Sequence, residues 1–235
     1  MKIPRIVLII GASAVGLFLL LSYFHQEKRL DPASSFRPSE YFRDRRTEAE
    51  PPSSNLYFSH FPARLEDFAV PPKMYGIWPY GIRGGNSNSH SEGHPGWDFE
   101  LKKGSKLYAV TDLRISQIHD GDKQVPGMNI QVIEAGAILN NKPYGIVYHS
   151  VINLEPGVVE GATIRAGSPL AEVGFPLSDT SAMIHFGVFA PKDSIGSCPT
   201  PYFSAAAREI LAKVVAQSRD YFTGLPYESA CVGKI

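Results

Sequence analysis

"SAMIHFGVF", Ser181 to Phe189, alternates in a way that decides the fold. In an extended chain residues i and i+2 share a face, so Met183, His185, Gly187 and Phe189 point one way. Ala182, Ile184, Phe186 and Val188 point the other way, and all four are apolar. The pattern predicts a strand with one face on a core. His185 then stands on the opposite face beside Met183. Alone, a histidine on such a strand reads as a core or cross-strand residue, and a role in metal binding needs partners from elsewhere in the chain.

Comparable runs surround it. "WDFEL" (97–101), "KLYAV" (106–110), "LRISQIH" (113–119), "MNIQVIE" (128–134), "YGIVYHS" (144–150) and "PLAEVG" (169–174) are short and strand-like. Turn signals fall at Pro95-Gly96, Gly104, Gly121, Asn140-Asn141, Pro156-Gly157, Gly161 and Gly167-Ser168. No helical pattern alternates with these runs, so the expected class is an all-β core, an antiparallel β-sandwich or open barrel. One segment differs. In Tyr202–Phe222, Phe203, Ala207, Ile210, Leu211, Val214 and Val215 follow i, i+3, i+4 spacing, which predicts a C-terminal amphipathic helix packed on the sheet.

The chain has 235 residues, 43% of them hydrophobic, enough for one domain with a real core plus flanking segments. Lys+Arg and Asp+Glu are balanced at 23 each, which gives no overall attraction to nucleic acid. Near the N-terminus, Lys2 and Arg5 precede an uncharged run from Ile6 to Phe24. A helix of that length spans roughly 28 Å, close to the hydrocarbon thickness of a bilayer. The only small-x-small triplet nearby, Ala12-Ser13-Ala14, lies inside the run rather than after it. An uncleaved signal anchor over 1–24 is therefore expected, with a cleaved signal peptide as the alternative. The positive residues before the run place the remainder outside the cytoplasm, as a single-pass membrane protein.

From 25 to 72 the sequence is rich in Pro, Ser and charge, and it is expected to be a mostly flexible linker. A few aromatics there, Tyr57, Phe58 and Phe61 among them, have docking on the domain or on a partner as their alternative reading. The folded part is expected over 73–195, with a helical extension over 196–235. Both cysteines, Cys198 and Cys231, lie in that extension. An exported location makes a disulfide between them plausible, against two unrelated buried thiols.

"SHSEGHPGWDFE" supplies the chemistry. Pro95-Gly96 argues against a helix between His94 and Asp98, and a turn there can bring imidazole and carboxylate together. A catalytic zinc site takes three N or O ligands and keeps a fourth position for water. His94 and Asp98 would supply two, His185 is the candidate for the third, and His149 in "YGIVYHS" is a candidate for proton transfer or charge stabilisation.

These motifs, in this order, resemble the lysostaphin-type (LytM-like) zinc endopeptidases of bacteria, which cut peptide bonds in peptidoglycan. "PYGIRGG" followed by "GHPGWDFE" is similar to that family's F-G-x-R and H-x-G-x-D. "GIVYHSVINLEPGVVEGATIRAGSPLAEVG" is similar to its Y-x-H-L stretch and Gly-rich turn, and "AMIHFGVF" to its H-x-H-F-x-V strand. The resemblance spans about Tyr80 to Phe189. It implies zinc held by His94, Asp98 and His185, His149 as catalytic histidine, Arg83 as a motif residue of structural role, and a groove that takes an extended peptidoglycan peptide across the metal. Met183 is the departure, for the family places a second catalytic histidine there. A thioether donates no hydrogen bond. Ser150 also replaces the usual Leu, a difference of packing. Three outcomes follow: a weaker enzyme, another group in place of the histidine (His90 and His119 are the remaining candidates), or a catalytically impaired domain that binds cell wall or regulates a partner hydrolase.

Overall fold

A computed structural model describes residues 56–69, 76–82, 93–121, 125–191, 196–220 and 224–232. The expected membrane segment (1–24), Arg83 and His90 lie outside these residues. Among the described residues no helix is long and apolar enough to cross a membrane.

The described residues form ten strands: β1 (Ile77–Trp78), β2 (Trp97–Lys102), β3 (Lys106–Tyr108), β4 (Leu113–Asp120), β5 (Gln131–Leu139), β6 (Lys142–Ile152), β7 (Thr163–Ile164), β8 (Pro169–Val173), β9 (Phe175–Pro176) and β10 (Ser181–Phe189). All belong to one open antiparallel sheet. Its path runs β1-β2-β10-β6-β5-β4-β7, with β8 bridging β6 to β3 and β9 pairing with β10. The longest ladder, β5 with β6, closes through Asn140-Asn141, whose φ values of 48° and 58° are those of a two-residue hairpin turn that asparagine tolerates.

β10 behaves as its alternation requires. Ala182, Ile184, Phe186 and Val188 are buried in the core with Trp97, Phe99 and Leu101 of β2 and with Ile146 and Tyr148 of β6. A helix, α1 (Ala205–Gln217), adds Ala207, Leu211 and Val214 to this core, and the Ser204 hydroxyl caps it by accepting from the Ala207 N–H at 3.3 Å. It is shorter at both ends than the periodicity suggests, because Thr200–Tyr202 forms a separate 3₁₀ turn and Ser218 is already extended.

Composition places residues 56–69 in a linker, but the structure packs Phe58, Phe61, Ala63 and Phe68 of this stretch into the core. Phe58 is fully buried against Phe203, with ring centroids 5.2 Å apart. Phe61 touches the rings of Phe68, Trp97, Phe99 and Phe203. Backbone bonds from Phe58 N–H to Tyr202 O and from Ser204 N–H to Phe58 O secure the segment at 2.8 and 2.9 Å. Each buried ring contributes roughly 1.5–3 kcal/mol, which outweighs the weak local preferences of a Pro/Ser-rich sequence.

Candidate metal centre

The side of the sheet away from the aromatic core carries the polar residues. Cross-strand pairing aligns Trp78 with Asp98, Asp98 with His185, His185 with His149, His149 with Val132, and Val132 with His119. Directly paired residues project to the same face, so one row across six strands holds an acid and three histidines.

His94 joins this row from the turn before β2. Its Nε2, the His185 Nδ1 and the Asp98 Oδ1 lie 2.8 to 3.2 Å from one another. Ligand atoms about 2.0–2.2 Å from a tetrahedral zinc stand roughly 3.3 Å apart, so this triangle fits three ligand positions of such a site. Among the described residues this is the one cluster of His, Cys, Asp or Glu with that convergence. The His94 Nδ1–H donates to the Pro79 carbonyl at 3.1 Å, the tautomer that leaves Nε2 free for a metal. His94 is 2% exposed, whereas the His185 side chain is 22% exposed and gives the cluster its contact with solvent.

Burial pushes the Asp98 carboxyl up, but the His94 charge and hydrogen bonds with His185 and His94 outweigh it, holding the group well below the usual carboxylate range. Burial likewise pushes the His94 imidazole down, and the Asp98 carboxylate more than reverses that, so its pKa is raised. The cluster is an anion between two imidazoles, the charge arrangement that suits a divalent cation.

The His185 ring is seated against Gly96 and Gly187. A Cβ on Gly96 would lie 2.9 Å from His185 Nε2 and collide with the Phe186 carbonyl oxygen, which is backbone and cannot rotate away. Gly96→Ala is therefore expected to cost about 1–3 kcal/mol of stability and to weaken metal binding as His185 is displaced. Thermal unfolding with and without zinc checks both effects.

His149 sits at a β-bulge. Pairing passes from Gln131–Val151 to Val132–His149, so Ser150 is the extra residue, and its φ of 73° is the left-handed conformation that turns the strand locally. The Ser150 hydroxyl lies 2.9 Å from His149 Nδ1. Read from sequence, Ser150 is a packing change. In the structure it is a hydrogen-bonding neighbour of the candidate catalytic histidine.

Met183 occupies the next row and pairs with Glu100 on β2 and Phe175 on β9. Glu100 is fully buried, and its carboxylate accepts from the Gly76 N–H at 3.3 Å. Sequence reasoning missed Glu100, although its spacing of two from Asp98 on one strand was the available signal. His119 lies three strands from His185 and contacts Glu134 at 3.3 Å, so it is not beside Met183. Cys198 and Cys231 are joined in a disulfide.

No protein-family model and no curated protein sequence matches the chain. Solved structures do. Csd3 from Helicobacter pylori is 21% identical over 68% of this chain and 40% of that one, with a TM-score of 0.42. A zinc-containing peptidase from Vibrio cholerae is 16% identical over 60% and 39%, with a TM-score of 0.43. The chain thus spans about two fifths of these two proteins. The catalytic domain of the antimicrobial peptidase lysostaphin from Staphylococcus simulans is 21% identical over 55% of this chain and 91% of that one, with a TM-score of 0.40. Likeness of this degree leaves the chemistry to the side chains already described. The structural neighbours of this chain include lysostaphin-type peptidase domains.

Proposed function

We propose that the chain is a zinc endopeptidase that hydrolyses peptide crosslinks or stem peptides of bacterial peptidoglycan. The observation that carries this reading is the convergence of His94, Asp98 and His185, drawn from two distant parts of the sequence, on one point beside His149. Zinc held by these three side chains would supply Lewis acidity toward a scissile carbonyl. His149, one strand from His185, is placed to move a proton or to stabilise developing negative charge, with Ser150 orienting its ring. An extended peptide would lie over the sheet along the row from Trp78 to His119.

One observation favours a second reading, a domain that binds cell wall or regulates a partner hydrolase with little turnover. Met183 and Glu100 fill the row where a second donor to the oxyanion is expected, and neither a thioether nor a carboxylate can donate a hydrogen bond. The hydrophobic run Ile6–Phe24 and the disulfide support placing the domain outside the cytoplasmic membrane, anchored by its N-terminal segment.

The deciding experiment is release of soluble peptides from purified peptidoglycan by the zinc-loaded chain. Peptide release that a chelator abolishes and zinc restores is expected. Stoichiometric zinc without release would favour the binding reading, and absence of bound zinc would overturn the enzyme reading and leave a binding or scaffolding domain.

A further inference from the structure

Gly224–Val232 is an irregular segment bonded to residues that neighbour the candidate metal ligands. It forms no helix and no strand beyond isolated bridges. Its neighbours are the residues that orient His94. The His94 carbonyl accepts from the Gly81 N–H at 2.8 Å, the His94 N–H donates to the Ile82 carbonyl at 3.0 Å, and its ring is fixed by the Pro79 carbonyl. The four residues Pro79–Ile82 therefore set both the position and the tautomer of this ligand.

These four residues are gripped from outside the sheet. Tyr80 N–H donates to the Ala230 carbonyl, and Val232 N–H donates to the Tyr80 carbonyl, each at 3.0 Å. The Trp97 indole N–H, one residue before Asp98, also donates to the Ala230 carbonyl at 2.9 Å. Between those carbonyl and amide contacts lies Cys231, joined to Cys198 across 33 residues. Cys198 follows Ser197, whose N–H donates at 2.7 Å to Val188 of β10, the strand that carries His185. The Tyr80 hydroxyl closes the circuit by donating to the Gly196 carbonyl at 3.3 Å.

We infer that the disulfide-closed strap 230–232 is a positioning device for the metal site, locking the segment that orients His94 to the strand that carries His185. This inference rests on the reading that the His94, Asp98 and His185 cluster binds zinc. Without the covalent link, a segment with no ladder of its own would hold Tyr80 by two backbone bonds, and Pro79 could shift relative to β10. Partners that orient metal ligands typically govern affinity by about 10- to 100-fold; the Pro79 carbonyl is such a partner, and the strap acts on it through Tyr80.

The test is zinc titration of the purified full chain against a competing chelator, with thermal unfolding recorded in parallel. Cys198→Ser/Cys231→Ser is expected to weaken zinc binding by at least about tenfold. Trp97→Phe, which keeps an aromatic ring in the core but removes the bond to Ala230, is expected to weaken it several-fold with the disulfide intact. Leu113→Ala, a core truncation in β4 at the other end of the sheet from β1 and β2, is expected to lower the unfolding temperature and leave zinc affinity unchanged. A wild-type chain that binds zinc while both strap variants bind it equally well overturns the inference. If the cysteine variant does not fold, Trp97→Phe decides alone by the same criterion. A wild-type chain that binds no zinc overturns the zinc reading first and this inference with it.

Discussion

Asp98→Ala is expected to weaken zinc binding by more than about a hundredfold and to abolish peptide release from peptidoglycan. Loss of a partner that merely orients a ligand costs up to about that factor, so loss of a direct ligand exceeds it. Asp98 is also the only anion of the three, and its Oδ1 touches both imidazoles, at 2.8 and 3.2 Å. Without it, two imidazole nitrogens 3.1 Å apart face each other, an arrangement that repels a cation when either is protonated. Metal content after dialysis and titration against a chelator measure the loss. A pH series on the wild-type chain adds the sign. Zinc requires neutral imidazole, and the raised pKa of His94 means that protons compete from a higher pH than at an ordinary histidine. Zinc affinity should therefore fall as pH is lowered from about 8 to about 6. An Asp98→Ala chain that keeps stoichiometric zinc would remove the cluster from consideration as the metal site.

Met183→His should raise hydrolysis by at least about tenfold, since a single donor to a developing oxyanion is commonly worth 10²- to 10³-fold. The new imidazole would stand on the face of His185, in the row next to it and directly across from Glu100. That carboxylate can accept from one ring nitrogen and fix the orientation of the other, so the substitution meets a prepared partner. Turnover measured at saturating peptide separates a gain in catalysis from a gain in binding. No gain would mean that Glu100 holds the ring turned away from the metal, or that the binding reading is the right one.

Much of this was legible from residue spacing. The alternation in Ser181–Phe189 assigns its apolar face to the core and His185 to the other side, and Asn140-Asn141 marks its hairpin by residue type alone. A turn at Pro95-Gly96 can bring His94 and Asp98 together, but the full ligand set with His185 was legible only through the ordered resemblance to the lysostaphin-type motifs. What could not be read is register. That Met183 faces Glu100, and that Ser150 is the skipped residue of a bulge, depends on which residue of one strand meets which of another, and a shift of one would exchange every neighbour. The burial of Phe58, Phe61 and Phe68 was hidden for a related reason. Their segment has no period, so its place in the core is decided by ring packing with residues far away in sequence.

The row of polar side chains lies in the interior of the sheet rather than at its edge. β2, β10, β6 and β5 each have a hydrogen-bonded strand on both sides, so their main-chain amides are already engaged around the His94, Asp98 and His185 cluster. A peptide arriving there cannot dock by extending the sheet, which is how many proteins read an extended chain. It must be held through its side chains, its ends and its charges. Such a surface does not require the regular backbone of a β-strand from its ligand, so branched linkages or inverted stereocentres that would break a ladder do not by themselves prevent docking.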